Sequence, residues 1–202
     1  MIFMKKNILQ KNKAFTLVET MVAIAILMIA ILGPMDIASS GLRDSLLARD
    51  QATAYYLAQE GIEYVRYVRD YNFLQTSNGV GGLAWLTGLG DITTSTECFS
   101  SYGCTIDSLS FFTGYINGNP AGFVNSCNSS GCIPLNFNTG GEDYYTQASG
   151  GNQTKFTRTI KIVPVVGAET REVQVRSNVS WQSGTSALRN FTITENIFNL
   201  YQ

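Results

Sequence analysis

Lys13-Ala14-Phe15-Thr16-Leu17-Val18-Glu19 opens an apolar run that ends at Leu32, and its reading decides the fold. Residues 15–32 offer 18 positions, of which only Thr16, Glu19 and Thr20 are polar. At a helical rise of ~1.5 Å per residue that is about 27 Å, the thickness of a hydrocarbon core. The segment is therefore long enough to span a bilayer. Glu19 is the anomaly, because an acidic side chain costs ~2.5–3.5 kcal/mol at the centre of a membrane helix on insertion scales. An acid placed there calls for a cationic partner. Cleavage between Ala14 and Phe15 would create one, the new α-amino group of Phe15.

The flanks point the same way. Lys5, Lys6, Lys11 and Lys13 make residues 1–14 basic, which keeps them cytoplasmic by the positive-inside bias. A secretory signal peptide is the plainer alternative, but the residues after the run, Gly33-Pro34-Met35-Asp36-Ile37-Ala38-Ser39, make a poor small-x-small cleavage site. The run reads as a retained anchor.

The stretch Ala14-Phe15-Thr16-Leu17-Val18-Glu19 behind its four lysines resembles the class III signal of type IV pilins and type II secretion pseudopilins. The resemblance implies that a prepilin peptidase cuts before Phe15, that the Phe15 amine is methylated, and that Glu19 pairs with a neighbouring subunit's N-terminus. Ala14 stands where the family usually has Gly and keeps the small side chain. Ala58-Gln59-Glu60-Gly61-Ile62-Glu63-Tyr64-Val65-Arg66 is similar to the helix continuation of the pilus-modification branch of minor pilins. The implied partners are other pilin subunits through the N-terminal helix, the peptidase, an inner-membrane assembly platform, and membrane lipid before assembly. The implied localisation is a single-pass inner-membrane protein with a cytoplasmic N-terminus, later part of a pilus or pseudopilus at the cell surface.

Beyond Leu32 a helix continuation is expected over 33–70, with Gly33 and Pro34 as a kink site. Leu42, Leu46, Ala54, Leu57, Gly61, Ile62, Val65 and Val68 recur at intervals of mainly three and four, which draws one apolar face. Glu63, Arg66 and Asp70 follow one another at single turns and read as a solvated, salt-laced side of that helix. Residues 71–154 are rich in Gly, Ser, Thr and Asn, with apolar islands at 83–86 and 109–112, and predict loops with short strands or turns.

From residue 155 to 202 the pattern clears into an antiparallel meander of about three or four strands. Phe156, Ile160 and Ile162 share one parity; so do Val173, Val175, Val179 and Trp181, and then Phe191, Ile193 and Ile197. Helix face and sheet face together close one core, an α+β fold of pilin type.

Four cysteines, Cys98, Cys104, Cys127 and Cys132, all lie in the middle region, and an even count in an exported chain reads as disulfides. Pairing of neighbours closes two short loops, but three connectivities are open. A zinc site built from the four thiolates is disfavoured by the wide spacings, and no metal or other cofactor is expected.

The chemistry is mostly excluded. The chain has no histidine, which removes imidazole bases, Ser-His-Asp arrangements and His-based metal sites. Gly79-Val80-Gly81-Gly82-Leu83-Ala84 matches a dinucleotide fingerprint but follows a polar stretch, so it reads as a loop. Glu142-Asp143, with Asp91 and Asp107, lacks the spacing of a calcium loop. The leader holds four of the 14 basic residues and none of the 15 acidic ones, which leaves ten against fifteen and a net charge of −5. Nucleic acid is not favoured by such a surface. No catalytic constellation is found. The reading is a structural minor pilin or pseudopilin; the alternative is a tip adhesin or DNA-uptake subunit with Trp85, Tyr102, Phe111, Phe112 and Tyr115 as anchors.

Overall fold

A computed structural model of the chain describes residues 15–79, 84–107, 123–139, 143–147, 150–168, 170–184 and 187–200. One helix, α1, spans Leu17–Ser77. Its start is capped by Thr16, whose Oγ1 accepts the Glu19 N–H at 3.3 Å, one half of a Thr-x-x-Glu capping box. The helix continues through Gly33 and Pro34. The helix closes where Gly79 adopts φ +84° and its N–H reaches the Thr76 carbonyl at 3.1 Å, a left-handed stop that glycine makes at little steric cost. The end therefore falls at Ser77 and not near Asp70: the residues after Asp70 include Asn72, buried and donating to the Trp85 and Thr87 carbonyls, a polar anchor that apolar spacing does not reveal.

Two compact units divide the chain, Met1–Ala48 and Arg49–Gln202. In the first, every described side chain from Phe15 to Leu46 is exposed. Leu42 and Leu46 stay uncovered, so the apolar face read from the sequence is buried within the chain only from Ala54 onward.

Within the second unit the strands are β1 (Cys104–Ile106), β2 (Val124–Ser126), β3 (Asn136–Asn138), β4 (Tyr144–Thr146), β5 (Asn152–Gln153), β6 (Phe156–Pro164), β7 (Glu172–Trp181) and β8 (Arg189–Phe198). They form a five-stranded antiparallel sheet in the order β2-β1-β6-β7-β8 and a three-stranded one in the order β4-β3-β5. The expected meander is β6 to β8, with Gly167 and Gly184 in its turns. The strand count exceeds the expectation because β1 to β5 are two or three residues long, too short to show an alternation.

The core has two patches. Ile62, Val65 and Val68 of α1 meet Ile160, Ile162, Val173, Val175 and Ile197, with Trp85, Leu86, Leu89 and Cys98 closing one side. Ala54, Leu57 and Ala58 meet Phe156, Val179, Trp181 and Leu135. Each valine, leucine, isoleucine or phenylalanine among them contributes roughly 1.5–3 kcal/mol by leaving water.

Three polar residues at inward positions of β6, β7 and β8 sit against α1. Arg158 is the largest fully buried side chain, and its side chain is 2% exposed. Its guanidinium reaches Glu60 at 2.6 Å, the Leu57 carbonyl at 3.3 Å and the Ile106 carbonyl at 2.8 Å, and it lies 5.7 Å from the Tyr64 ring centre. Glu195 on β8 takes Arg66 of α1, which also bonds Glu63 at 2.7 Å. Those Glu195 hydrogen bonds, foremost among several acidic neighbours, hold the Arg66 guanidinium above its ordinary pKa. Part of the helix side read as solvated is thus tied to the sheet.

The third is Ser177, fully buried opposite Gly61. A Cβ at Gly61 would overlap Ser177 Oγ and come within 3.2 Å of Ile160 Cδ1. Gly61 is what lets helix backbone and sheet approach, although alanine is the better helix former by about 1 kcal/mol. Gly61→Ala is expected to destabilise the Arg49–Gln202 unit by ~1–3 kcal/mol, the usual scale of overpacking. A urea midpoint equal to or above that of the parent protein would refute the close-packing account.

Candidate functional site

The candidate assembly site is the start of α1. Phe15 is 79% exposed, and among the described residues the Glu19 carboxylate has no hydrogen-bond or ion-pair partner. Thr16 serves the backbone and not that carboxylate; Thr20 Oγ1 bonds the Leu17 carbonyl at 2.8 Å. The first turn therefore presents one bare anion at the head of a helix that is long and apolar enough to cross a membrane, with none of its apolar stretch buried. Ala14, on the other side of the expected cleavage point, lies outside the described residues.

The middle region assembles as two clamps. Cys98 is bonded to Cys104 and Cys127 to Cys132, the neighbour pairing among the three that the sequence left open. Cys98 and Cys104 are fully buried in the core beside Leu89, while Cys127–Cys132 closes the turn Asn128–Gly131 at the surface.

Among the described residues, the acidic residues weighed for calcium form no cluster. Asp91 caps its own turn through Thr93 and Thr94, and the Thr93 hydrogen bonds hold its carboxyl below the usual range. Asp107 is buried and accepts from Thr146 and Gln147. Gly140, Gly141 and Glu142 lie outside the described residues, as do residues 80–83 of the glycine-rich stretch. Of the aromatic anchors, Trp85 belongs to the core and Tyr102 is exposed; Phe111, Phe112 and Tyr115 lie outside the described residues.

Two features escaped the sequence. Asp50 Oδ2 accepts from Lys155 Nζ at 2.6 Å and from Ser183 Oγ at 2.8 Å, a Ser, Lys and Asp set joining α1 to the one end of the β6–β7 pair where β6 begins and β7 finishes. It is not built as a nucleophile and base. Ser183 donates to an acid, and Lys155 donates to Ser183 at 3.2 Å instead of offering it a lone pair. The second is a groove of about 460 Å³ between α1 and β4, lined by Thr53, Tyr56, Leu57, Glu60, Tyr144 and Tyr145. Burial, above all, raises the Tyr145 phenol. Neither feature has a period or motif to betray it, since its members come from segments distant in the chain.

Residues 9–33 match the model of the prokaryotic N-terminal methylation motif. The chain carries the type IV pilin and pseudopilin signal. No curated protein and no solved structure matches the chain. The pilin signal covers the bare Glu19 and the apolar stretch behind it, and it points to a structural, exported protein that is processed by prepilin peptidase and assembles with other pilin subunits. The rest of the molecule has the corresponding layout, one long N-terminal helix and an antiparallel sheet packed on its later turns.

The Asp50 cluster yields a pH dependence. Burial raises its carboxyl, but hydrogen bonds from Lys155 and Ser183 and the charges of Lys155 and Arg49 outweigh this, so its pKa lies below 3.8. A carboxyl lowered on folding adds stability that is present above the unfolded value and is lost as pH falls through the folded one. Asp50→Asn should therefore lower the melting temperature of the Arg49–Gln202 unit at neutral pH and flatten its fall below pH 3.8. Melting curves for the two proteins that run parallel from pH 7 to pH 2 would contradict the clamp.

Proposed function

We propose that this chain is a minor structural subunit of a type IV pilus or a type II secretion pseudopilus. The observation that carries the proposal is the unpartnered Glu19 carboxylate, four residues after Phe15, at the head of an exposed apolar helix within the methylation motif. The minor role rests on the resemblance of residues 58–66 to the pilus-modification branch. The motif by itself supports a pilin or pseudopilin of either rank.

In this reading the basic leader stays cytoplasmic and residues 15–32 hold the precursor in the inner membrane, with the Arg49–Gln202 unit on the extracytoplasmic side. Prepilin peptidase cuts between Ala14 and Phe15, and Phe15 is methylated at the amine thus exposed. An assembly platform then moves the helix from lipid into a bundle of like helices, where it keeps its apolar surroundings; packing contacts replace lipid contacts at little net change in burial. Register must come from something directional. Glu19 supplies it by meeting the Phe15 amine of a neighbour, because a misaligned helix leaves a buried, unpaired charge that costs several kcal/mol, about 3–5 when one partner of a buried pair is lost. Gly33 and Pro34 provide a bending point, since Pro34 has no N–H to offer the preceding turn.

Glu19→Ala tests the reading. The variant should be processed and inserted normally, with the melting temperature of its soluble portion unchanged, yet be recovered in sheared filaments at a small fraction of the parent level. Incorporation at the parent level would show that Glu19 does not set register.

A further inference from the structure

The groove between α1 and β4 has no part in the assembly account. Its walls are Thr53, Tyr56, Leu57 and Glu60 on successive turns of α1 and Tyr144 and Tyr145 on β4, and its volume of about 460 Å³ is in the range of small-ligand sites. The groups in it are held in place. Tyr55 packs edge-on against Tyr56 at 5.6 Å between ring centres, Asn138 Nδ2 donates to the Tyr144 hydroxyl at 2.8 Å, and Tyr145 stands edge-on to Phe137 at 5.0 Å and to Phe156 at 6.1 Å. Glu60 receives the Tyr64 hydroxyl on Oε1 at 2.9 Å and Arg158 on Oε2 at 2.6 Å. Side chains ordered before binding lose little freedom when a ligand arrives.

Charge narrows the class of ligand. None of the six lining residues is cationic and Arg158 is buried and committed to Glu60 and two carbonyls, so no cation lines the groove for an anion; from outside it, Arg49 and Asp50 act on Tyr145 with opposite sign. Arg158 also offsets the Glu60 charge, which leaves no net negative field for an ammonium group. What the groove offers is aromatic surface edged with hydroxyls. Tyr56 is 68% exposed and brings a flat aromatic ring to the solvent-facing side of the groove. Beside it are the Thr53, Tyr56, Tyr144 and Tyr145 hydroxyls and a carboxylate whose two oxygens have about four acceptor positions, more than its two donors fill. Such a surface matches a ring with apolar C–H faces and hydroxyls around its rim.

We propose that this groove binds a short neutral saccharide, stacked on Tyr56 with ring hydroxyls bonded to Glu60 and Tyr144. The site stands apart from assembly and holds whether or not the chain enters a filament. It also places recognition at residues other than the Trp85 and Tyr102 that the sequence brings forward.

The test uses the full mature chain in a detergent without a sugar headgroup. Saturation-transfer NMR is run with cellobiose, lactose, maltose and chitobiose as neutral probes, and with sialyllactose and choline as charged ones. At least one neutral disaccharide should bind, with affinity at least about tenfold weaker in Tyr56→Ala, retained in Tyr56→Phe, reduced in Tyr144→Phe and unchanged in Tyr102→Ala, which lies outside the groove. Near-ultraviolet circular dichroism of each variant, matching the parent, shows that loss is not unfolding. The proposal is overturned if none of the four neutral probes binds, if Tyr56→Ala binds as the parent does, or if sialyllactose or choline binds more tightly through Tyr56 than every neutral probe. Loss of Tyr56→Ala from filaments with saccharide binding intact would assign the groove to a neighbouring subunit and also overturn it. None of these results bears on Glu19, so the assembly reading is judged separately.

Discussion

A carboxylate has no business in hydrocarbon without a counter-charge, and Glu19 is the constraint from which the rest of this molecule follows. Its cost in a bilayer is of the same order as the gain from burying one or two apolar side chains. The flanking run can therefore carry it, but only as a standing incentive to find a cation. An N-terminal amine is the one cation whose position is fixed relative to the helix itself. A long lysine or arginine can reach many places, whereas the amine of Phe15 sits one turn from Glu19 on any helix of the same kind. In the proposed assembly, that geometric rigidity lets a single pair define the stagger between neighbouring helices, while the apolar contacts around it are tolerant of sliding.

The Arg49–Gln202 unit solves a different problem, that of covering one helix face with a sheet. Apolar residues supply most of the area, yet several ties between α1 and the sheet come from residues outside the apolar pattern. Gly61 against Ser177 permits the approach, Arg158 ties Glu60 and the Leu57 carbonyl to the Ile106 carbonyl, and Glu195 holds Arg66. A buried arginine with three anchors adds little net stability over a well-packed apolar residue, but it penalises any register in which it loses them. Slippage by one residue would turn the whole inward set of β6 outward. Arg158 and Glu195 therefore contribute more to specifying the pairing of helix and sheet than to its strength.

The long, regular elements were legible because their periods are strong. β6, β7 and β8 alternate over nine or ten residues, and the apolar face over 54–68 repeats every three or four, so both were readable along with the fact that one covers the other. The reading passed over Arg158, Ser177 and Glu195, whose parity was inward but whose chemistry was not. The buried face was carried too far toward the N-terminus, because Leu42 and Leu46 fit the spacing while no described residue covers them. Strands of two or three residues leave no periodic trace, which hid the three-stranded sheet. The methylation motif over residues 9–33 was legible from the sequence. The Tyr56, Tyr144 and Tyr145 groove was not, since residues separated by long stretches of chain come together only through the fold.

The N-terminal mass of the protein recovered from membranes of peptidase-competent cells tests the central claim most directly. The account predicts a chain that begins at Phe15 with one methyl group on its amine. A chain that keeps Lys13-Ala14 under those conditions would leave Glu19 without its counter-ion, and one that starts beyond Leu32 would lack Glu19 altogether; either result would contradict the account at its root.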